Sequence, residues 1–204
     1  AYIKGAGDEV PTYLKQIGYE VTEIDPNSIT DNSIKDYDAV ILGIRAYNTI
    51  PELKIKQPVI LEYVKNGGNV IVQYNTSQNL VVEDNLAPYM LKLSRDRITD
   101  ENAEVTFLDK KHEVMNLPNK IGVDDFNGWV QERGLYFPDE WADEFTPILS
   151  FHENGEEPME GSLLVAKYGK GYYIYTGLSF FRELPAGVPG AYKLFTNMIS
   201  IGKN

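Results

Sequence analysis

A short stretch in the middle of the chain concentrates the side-chain types from which a polar-ligand site is built. Between residues 125 and 136 the sequence combines acids, an arginine, an amide and aromatic rings: Asp125, Trp129, Gln131, Glu132, Arg133 and Tyr136. A flat apolar ring beside convergent hydrogen-bonding groups is what a pocket for a polar ligand needs. The same residues also fit a loop held by arginine–carboxylate pairs, with Trp129 and Phe126 as core anchors. Both interpretations stay open at the level of sequence.

A second group of polar and aromatic residues follows two predicted strands: Arg45, Tyr47, Asn48, Tyr74 and Asn75. Open α/β sheets bind ligands in the crevice outside the carboxyl ends of their strands. The predicted ligand-binding set is completed by four residues of the central stretch: Asp125, Trp129, Glu132 and Arg133. We expect Trp129, Glu132 or Arg133 to share a pocket with Arg45. The alternative is that Arg45 forms a buried ion pair with Glu132 and leaves no space for a ligand.

Nucleophilic catalysis finds little support in the sequence. The chain has no cysteine and only two histidines. Ser77 and Ser179 are the candidate hydroxyl nucleophiles, but neither lies in the G-x-S-x-G context of a hydrolase elbow. Capping or turn roles are favoured for both serines, and no catalytic residue is predicted.

Cofactor and metal sites are equally weakly indicated. His112 and His152 could hold a metal ion if they converged with Asp124 or Asp125, but their spacing matches no standard ligand motif. The Gly5–Gly7 turn lacks the third glycine of a dinucleotide fingerprint. We therefore predict neither a metal nor a cofactor.

The composition of the chain limits the size of its core and the classes of partner that it can bind. With 204 residues and 43% hydrophobic content, the chain can bury one substantial core. A formal charge of -11 disfavours nucleic acid and anionic membrane surfaces. No apolar run approaches the roughly 20 residues of a membrane span. The start at Ala1, with half a strand before the first turn, suggests a piece of a longer polypeptide.

Strand and helix signals alternate in the first part of the chain. Strands are predicted at residues 2–4, 20–24, 39–44 and 69–73. Helices are predicted after Asp8, which is a good N-cap, and from Pro58, which suits a first helical turn. The run 39–44 is continuously apolar, as expected for a parallel strand covered on both faces. This alternation predicts a flavodoxin-like, doubly wound and mostly parallel α/β sheet.

The pattern changes at about residue 94. A strand is predicted over Glu104–Leu108, whereas residues 116–147 mix aromatic, proline and acidic residues without periodicity. We expect one domain over residues 1–204, with an ordered, aromatic-rich insertion at about 94–150 packed on one end of the sheet. A closing β-hairpin and a last helix are predicted by three segments: Ser162–Tyr168, Tyr172–Thr176 and Pro189–Ile201.

Two long segments of the sequence resemble a known protein family. Asn116–Phe137 (NLPNKIGVDDFNGWVQERGLYF) and Gly169–Asn197 (GKGYYIYTGLSFFRELPAGVPGAYKLFTN) resemble the C-terminal region of large bacterial PIG-L-type (LmbE-like) de-N-acetylases, and YDAVILGIRAYNT and EYVKNGGNVIVQYNT fit it as well. The resemblance implies a class I glutamine amidotransferase-like fold, related to ThuA-like (trehalose-utilisation-type) proteins. It also implies that the metal-binding catalytic domain of the deacetylase lies outside this sequence.

The departures from active amidotransferases are informative. Their oxyanion turn falls on Gly43–Asn48, their nucleophilic cysteine near Gln73–Asn75, and their His-x-Glu pair near Thr176–Ser179. None of the three catalytic groups is present at these places. Nucleophile, base and orienting acid must lie within hydrogen-bond reach of one another, so we expect no glutamine hydrolysis.

The leading functional hypothesis is a non-catalytic accessory domain of a PIG-L-type sugar de-N-acetylase. Such a domain would bind carbohydrate or dock on the catalytic domain of the same chain, in the periplasm or outside the cell if the parent protein carries a signal peptide. One alternative is a hydrolase or sugar-modifying enzyme in which Asp125 and Glu132 act as acid and base. Another is a protein-interaction scaffold with a flat apolar patch.

Overall fold

The computed structural model describes residues 1–82 and 86–203. Its strands are, in chain order, β1 (Tyr2–Ile3), β2 (Ala39–Leu42), β3 (Asn69–Gln73), β4 (Leu91–Ile98), β5 (Glu104–Phe107), β6 (Gly134–Trp141), β7 (Phe145–Pro147), β8 (Leu149–His152), β9 (Leu163–Tyr168) and β10 (Gly171–Thr176). Its α-helices are α1 (Val10–Gln16), α2 (Asp31–Ile34), α3 (Ala46–Thr49), α4 (Leu53–Lys65), α5 (Phe180–Glu183) and α6 (Pro189–Ser200). In these described ranges no helix is long and apolar enough to cross a lipid bilayer.

A six-stranded sheet with the order β1-β2-β3-β10-β9-β7 forms the centre of the fold. β1, β2, β3 and β10 run parallel, β9 is antiparallel to β10, and β7 is antiparallel to β9. In β3, Ile71 packs into the core under α6, while Val70 and Val72 pack into the core under α4. Every residue of β2 and β3 is buried, as expected for parallel strands covered on both faces. The predicted α/β architecture is confirmed.

The predicted closing hairpin is also present. β9 and β10 pair in an unbroken antiparallel register from Gly171 opposite Tyr168 to Thr176 opposite Leu163. Gly169 adopts a left-handed conformation with φ of 60°, which side-chain-bearing residues rarely adopt, and this lets the chain reverse within the turn. β10 then inserts beside β3, so the late hairpin completes the parallel part of the sheet.

The insertion at about residues 94–150, which we call the excursion, is more regular than expected. β4 pairs with β6 and β5 pairs with β8, each antiparallel and outside the central sheet. Residues 116–147 therefore contain strands where no periodicity was apparent. The physical reason is that β6 is buried along most of its first five residues and contains Pro138, and its pairing with β4 shifts register. Such a strand lacks the alternation of polar and apolar residues that marks a half-buried strand.

Two expected elements differ in extent. Residues 20–24 form a single bridge between Glu23 and Tyr2 in place of a strand, because β1 is only two residues long and offers little backbone to pair with. The helix expected from Pro58 begins at Leu53, and the proline lies inside it. Leu53 is fully buried on the same face as Ile60, so its burial favours the longer helix despite the hydrogen bond that a proline cannot donate.

Candidate functional site

The carboxyl ends of β2, β3 and β10 meet at one edge of the sheet. The Arg45 amide donates to the carbonyl of Tyr74 at 2.7 Å, which joins the turn after β2 to the end of β3. The Tyr47 amide donates to Asn75 Oδ1 at 2.9 Å, and the Asn75 amide donates to the Tyr175 hydroxyl at 3.1 Å. These contacts bring the residues that follow the two predicted strands together.

The excursion crosses this edge at residues 131–136. The Leu135 amide donates to the Gly177 carbonyl at 2.9 Å, and the Ser179 amide donates to the Arg133 carbonyl at 3.0 Å. An isolated antiparallel bridge joins Gly134 to Leu178. We call the region formed here by the turn after β2, the end of β3, residues 131–136 and α5 the edge site.

Three aromatic rings form the centre of the edge site. Tyr74 and Tyr136 are nearly parallel, with ring centroids 6.0 Å apart and planes inclined by 10°. Phe181 packs on Tyr74, with ring centroids 5.3 Å apart. Tyr136 and Phe181 are half-buried, so part of each residue faces solvent. We call these three rings the aromatic platform; flat rings, two of which carry a hydroxyl group, suit an amphipathic ligand.

A guanidinium lies on the aromatic platform, and two further arginines act on Tyr74 and Glu132. The Arg182 guanidinium lies over the Phe181 ring, 4.8 Å from its centroid. Glu132, which is 3% exposed, accepts from Arg182 Nε at 3.0 Å and from an Arg97 terminal nitrogen at 2.6 Å. Burial raises the pKa of the Tyr74 hydroxyl, and the positive charges of Arg45 and Arg182 oppose that rise. The site therefore presents planar donors around apolar rings.

Backbone strain coincides with the edge site. Four described residues other than glycine adopt left-handed conformations: Arg45, Gln131 and Tyr136, with φ of 56°, 69° and 53°, and Asn79, with φ of 58°. Such conformations cost of order 1–3 kcal/mol each and occur preferentially at functional sites. Three of the four, Arg45, Gln131 and Tyr136, belong to the edge site, whereas Asn79 lies in the loop after β3. This concentration supports a function at the edge site over a purely architectural role.

Several residues of the predicted ligand-binding set are engaged inside the protein. Tyr47 and Asn75 are fully buried, and Asn48 holds the loop after β3 by accepting from the Thr76 amide and donating to the carbonyls of Thr76 and Gln78. Their contacts shape the edge site from within. Arg45, Tyr74 and Glu132 are the predicted residues that the structure brings together in the edge site.

Trp129 and Arg133 do not share a pocket with Arg45. Trp129 is 3% exposed, stacks on Phe126 at 5.5 Å and packs on Phe180 at 5.9 Å. The buried Arg133 guanidinium donates to the carbonyls of Ala103 and Phe126. The excursion uses these two side chains as core anchors, because their rings and donors find partners beneath the surface.

Glu132 and Arg45 both act electrostatically on Tyr74, and a pocket shared by the two stays a prediction. The expected alternative, a buried ion pair between Arg45 and Glu132, is wrong because Glu132 pairs with Arg97 and Arg182.

The acid–base alternative loses its geometric basis. Asp125 accepts from the Gly122 amide at 2.8 Å and from Lys193 Nζ at 2.7 Å, next to α6. Glu132 is held by two arginines in the edge site. The two carboxylates are thus held by different cations on different elements.

The histidines lie elsewhere. His112 Nδ1 accepts from the Val114 amide at 3.2 Å, and His152 ends β8 opposite Glu104. Within residues 1–82 and 86–203, no group of three or more His, Asp or Glu side chains is arranged to hold a metal ion.

A buried acid outside the predicted ligand-binding set lies beneath the edge site. Glu183 is fully buried; its Oε2 accepts from the Val130 amide at 2.9 Å, while Oε1 has no partner among the described residues. Burial raises the pKa of Glu183 from 4.5 to about 7. Ser179 is also fully buried, so it is not an accessible nucleophile. The signal in the sequence that could have found this acid is the adjacent pair Arg182 and Glu183, which is followed by a loop rich in proline and glycine.

Two clefts lie at the opposite, amino-terminal edge of the sheet. One, of about 290 Å³, is lined by residues that include Glu20, Asp36 and Asp38; the other, of about 460 Å³, includes Lys35 and Lys203. Neither combines accessible rings, converging arginines and left-handed backbone as the edge site does. We therefore take the edge site as the candidate functional site.

Comparison with known proteins defines the fold. No protein-family model and no curated protein matches the sequence. Among solved structures, the chain is similar to a GMP synthase-like protein from Thermoplasma acidophilum (13% identity, 99% of this chain, 94% of that chain, TM-score 0.59). It is also similar to a ThuA-like protein from Bacteroides uniformis (16% identity, 98% of this chain, 90% of that chain, TM-score 0.58).

The same fold occurs within a longer protein. Part of a β-galactosidase from Rahnella sp. R3 matches at 15% identity and a TM-score of 0.53, over 94% of this chain and 26% of that chain. Identities this low show the fold alone. The fold is α/β with a mostly parallel mixed sheet, of the class I glutamine amidotransferase-like type that ThuA-like proteins share.

Proposed function

We propose that this chain is a non-catalytic amidotransferase-like domain that binds carbohydrate at the edge site. The observation that carries the proposal is the aromatic platform of Tyr74, Tyr136 and Phe181, flanked by arginines, at the carboxyl edge where active amidotransferases place their catalytic groups. Sugars bind through their apolar faces on aromatic rings and through hydrogen bonds from planar polar groups.

The absence of catalytic side chains at that edge supports a binding role. Gln73 lies where the nucleophile is expected, is buried, and donates from Nε2 to the Tyr2 hydroxyl at 2.9 Å. Ser179 lies where the histidine is expected and is fully buried. Without a nucleophile and a base, the side chains at this edge do not supply the groups that acyl transfer needs.

We further propose that the domain is an accessory part of a PIG-L-type sugar de-N-acetylase. The support is the resemblance of residues 116–137 and 169–197 to that family, together with the occurrence of the fold as about a quarter of a β-galactosidase chain. In this arrangement the domain holds the glycan while a separate catalytic domain of the same polypeptide removes acetyl groups. A periplasmic or extracellular location and contact with the catalytic domain belong to the same proposal.

Calorimetric titration of the protein with chitin oligosaccharides tests the binding proposal. Tyr136→Ala removes a half-buried ring of the aromatic platform and should weaken binding by roughly tenfold or more, a loss of about 1.4 kcal/mol or more. Tyr168→Ala is the matched control, because Tyr168 is a half-buried tyrosine in an aromatic pair with Tyr89, outside the edge site. Binding that is absent, or that Tyr136→Ala leaves unchanged, contradicts the proposal.

An assay for glutamine hydrolysis tests the non-catalytic part separately. The pure protein should release ammonia from glutamine no faster than buffer does, because nucleophile, base and oxyanion turn together supply many orders of magnitude in rate. Release above the buffer rate that persists after further purification would show that the edge retains activity.

A further inference from the structure

The edge site carries an excess of positive charge on an acidic protein. The formal net charge of the chain is -11. The charged groups that act on the Tyr74 hydroxyl are two arginines, Arg45 and Arg182, and one glutamate, Glu132. Glu132 is already shared between Arg182 and Arg97. The Glu132 carboxylate is therefore engaged by two arginines, and Arg45 is not one of them.

Arg45 is the uncompensated cation. Its side chain is exposed, and among the residues that the structure describes no carboxylate lies within ion-pair distance of its guanidinium. An ordinary surface arginine occupies relaxed backbone, whereas Arg45 is left-handed with φ of 56°. Glycine or asparagine would occupy that turn with less strain.

The backbone of Arg45 is held rigidly on both sides. Its amide donates to the Tyr74 carbonyl at 2.7 Å, and its carbonyl accepts from the amides of Asn48 and Thr49 at 2.9 and 3.1 Å and from the Thr49 hydroxyl at 3.0 Å. Its Cα is thereby pinned next to Tyr74, a member of the aromatic platform. The backbone of Arg45 is thus fixed beside flat rings, and its guanidinium, which has no carboxylate partner among the described residues, is available for an anionic group on a ring-shaped ligand.

We infer that the ligand of the edge site carries a single carboxylate, bound by Arg45, on a sugar ring that packs on the aromatic platform. The inference rests on the proposed carbohydrate-binding function and deepens it: the sugar is a uronic acid or a similar acidic residue. The planar guanidinium matches a carboxylate with two parallel hydrogen bonds. One unpaired guanidinium balances one negative charge, whereas a doubly charged phosphate would need a second free cation.

Two monosaccharide probes that differ only in charge test the inference. D-Glucuronate and D-glucuronamide share a ring and its hydroxyls, but only the first is an anion. In NMR titrations of the whole chain at low salt, glucuronate should bind about tenfold more tightly than glucuronamide, the difference expected for one charge-assisted hydrogen-bonding contact. The Arg45 side-chain Nε–H and amides of residues 74 and 136 should shift during the titration.

Two variants test whether Arg45 is the residue that distinguishes glucuronate from glucuronamide. Arg45→Gln should bring the affinity for glucuronate down to that for glucuronamide, with the folded spectrum retained. Lys120→Gln, which removes an exposed cation of the excursion outside the edge site, should change neither affinity.

Equal affinities for the two probes, or a preference for glucuronate that survives in Arg45→Gln, overturn the inference and leave carbohydrate binding standing. Absence of binding by both probes, in protein that binds chitin oligosaccharides, also overturns it. Absence of binding by the probes and by every oligosaccharide overturns the proposed function as well.

Discussion

Replacing Trp129 with alanine separates a structural role of this residue from a role in ligand binding. A tryptophan in a pocket wall would be partly exposed, and its loss would abolish binding at little cost in stability. In the structure Trp129 is 3% exposed and lies between the rings of Phe126 and Phe180, with the Arg133 guanidinium 5.7 Å from its ring. Its Nε1 also donates to the Asp125 carbonyl at 3.1 Å. We therefore expect the cost to fall on stability.

The size of the stability loss on Trp129→Ala follows from these contacts. Truncation of a buried tryptophan to alanine costs about 3–5 kcal/mol, and the lost indole hydrogen bond adds roughly 1 kcal/mol. We expect Trp129→Ala to lower the free energy of unfolding by about 4–6 kcal/mol. For a domain of this size, each kcal/mol lowers Tm by about 2–4 °C, so the melting temperature should fall by roughly 8–24 °C.

Urea denaturation followed by circular dichroism measures the change, with glycan binding measured on the folded variant at low temperature. The other tryptophan, Trp141, ends β6 and is half-buried, so Trp141→Ala should cost only about 1–2 kcal/mol. The reasoning is refuted if Trp129→Ala loses less than about 1 kcal/mol, and a loss of binding at unchanged stability would make Trp129 part of the ligand site.

The remaining predictions concern an acid, a strained turn and a tight contact. Glu183 has its pKa raised to about 7 in the folded protein, so its ionisation destabilises the fold as pH rises from 4.5 through 7. Glu183→Gln should therefore raise the free energy of unfolding at pH 8, by up to about 3 kcal/mol, and leave it unchanged below pH 4.5 when measured by urea denaturation at each pH. Arg45→Gly should stabilise the protein by about 1 kcal/mol in thermal melts, since glycine tolerates φ of 56°, while its affinity for glucuronate falls to that for glucuronamide. Gly190→Ala should destabilise by about 3 kcal/mol or more in the same melts, because a Cβ there would lie 1.8 Å from the Asp125 carbonyl oxygen.

Each of these has a result that would contradict it. A stability difference between Glu183→Gln and the unchanged protein that is the same at pH 4 and pH 8 would mean that Glu183 is not a buried acid. Arg45→Ala keeps a side chain on the left-handed backbone. Equal stability of the alanine and glycine variants would therefore show that the backbone at residue 45 is not strained. Gly122 has open space around its Cβ position, and Gly122→Ala should be tolerated; if it is as damaging as Gly190→Ala, close packing is not the cause.

Local sequence signals were sufficient for the parts of the fold whose environment is uniform. The run 69–73 is largely apolar because helices cover both of its faces, and that run alone predicts β3. The hairpin around Gly169 follows from two strand-forming segments and a glycine turn. The absence of a catalytic cysteine is a property of the sequence itself and needs no coordinates.

Prediction was weaker where an element depends on a distant partner. Residues 20–24 have a strand-forming composition, yet they pair only with the short β1 through one bridge. β6 pairs with β4 across an irregular register that no local pattern encodes. The helical start at Leu53 depends on burial of that side chain in the core under α4.

The sequence by itself determined the class of the sheet, the location of a candidate site at its carboxyl edge and the loss of amidotransferase side chains, because these depend on local hydrophobic runs and on which residue types are present. Only the tertiary structure decided which side chains form that site. The path of the excursion brings Glu132 and Tyr136 into the edge site and places Trp129 and Arg133 in the core, and α5 brings Phe181 onto Tyr74 from far along the chain. Those choices depend on packing between segments distant in sequence, which spacing along the chain does not encode.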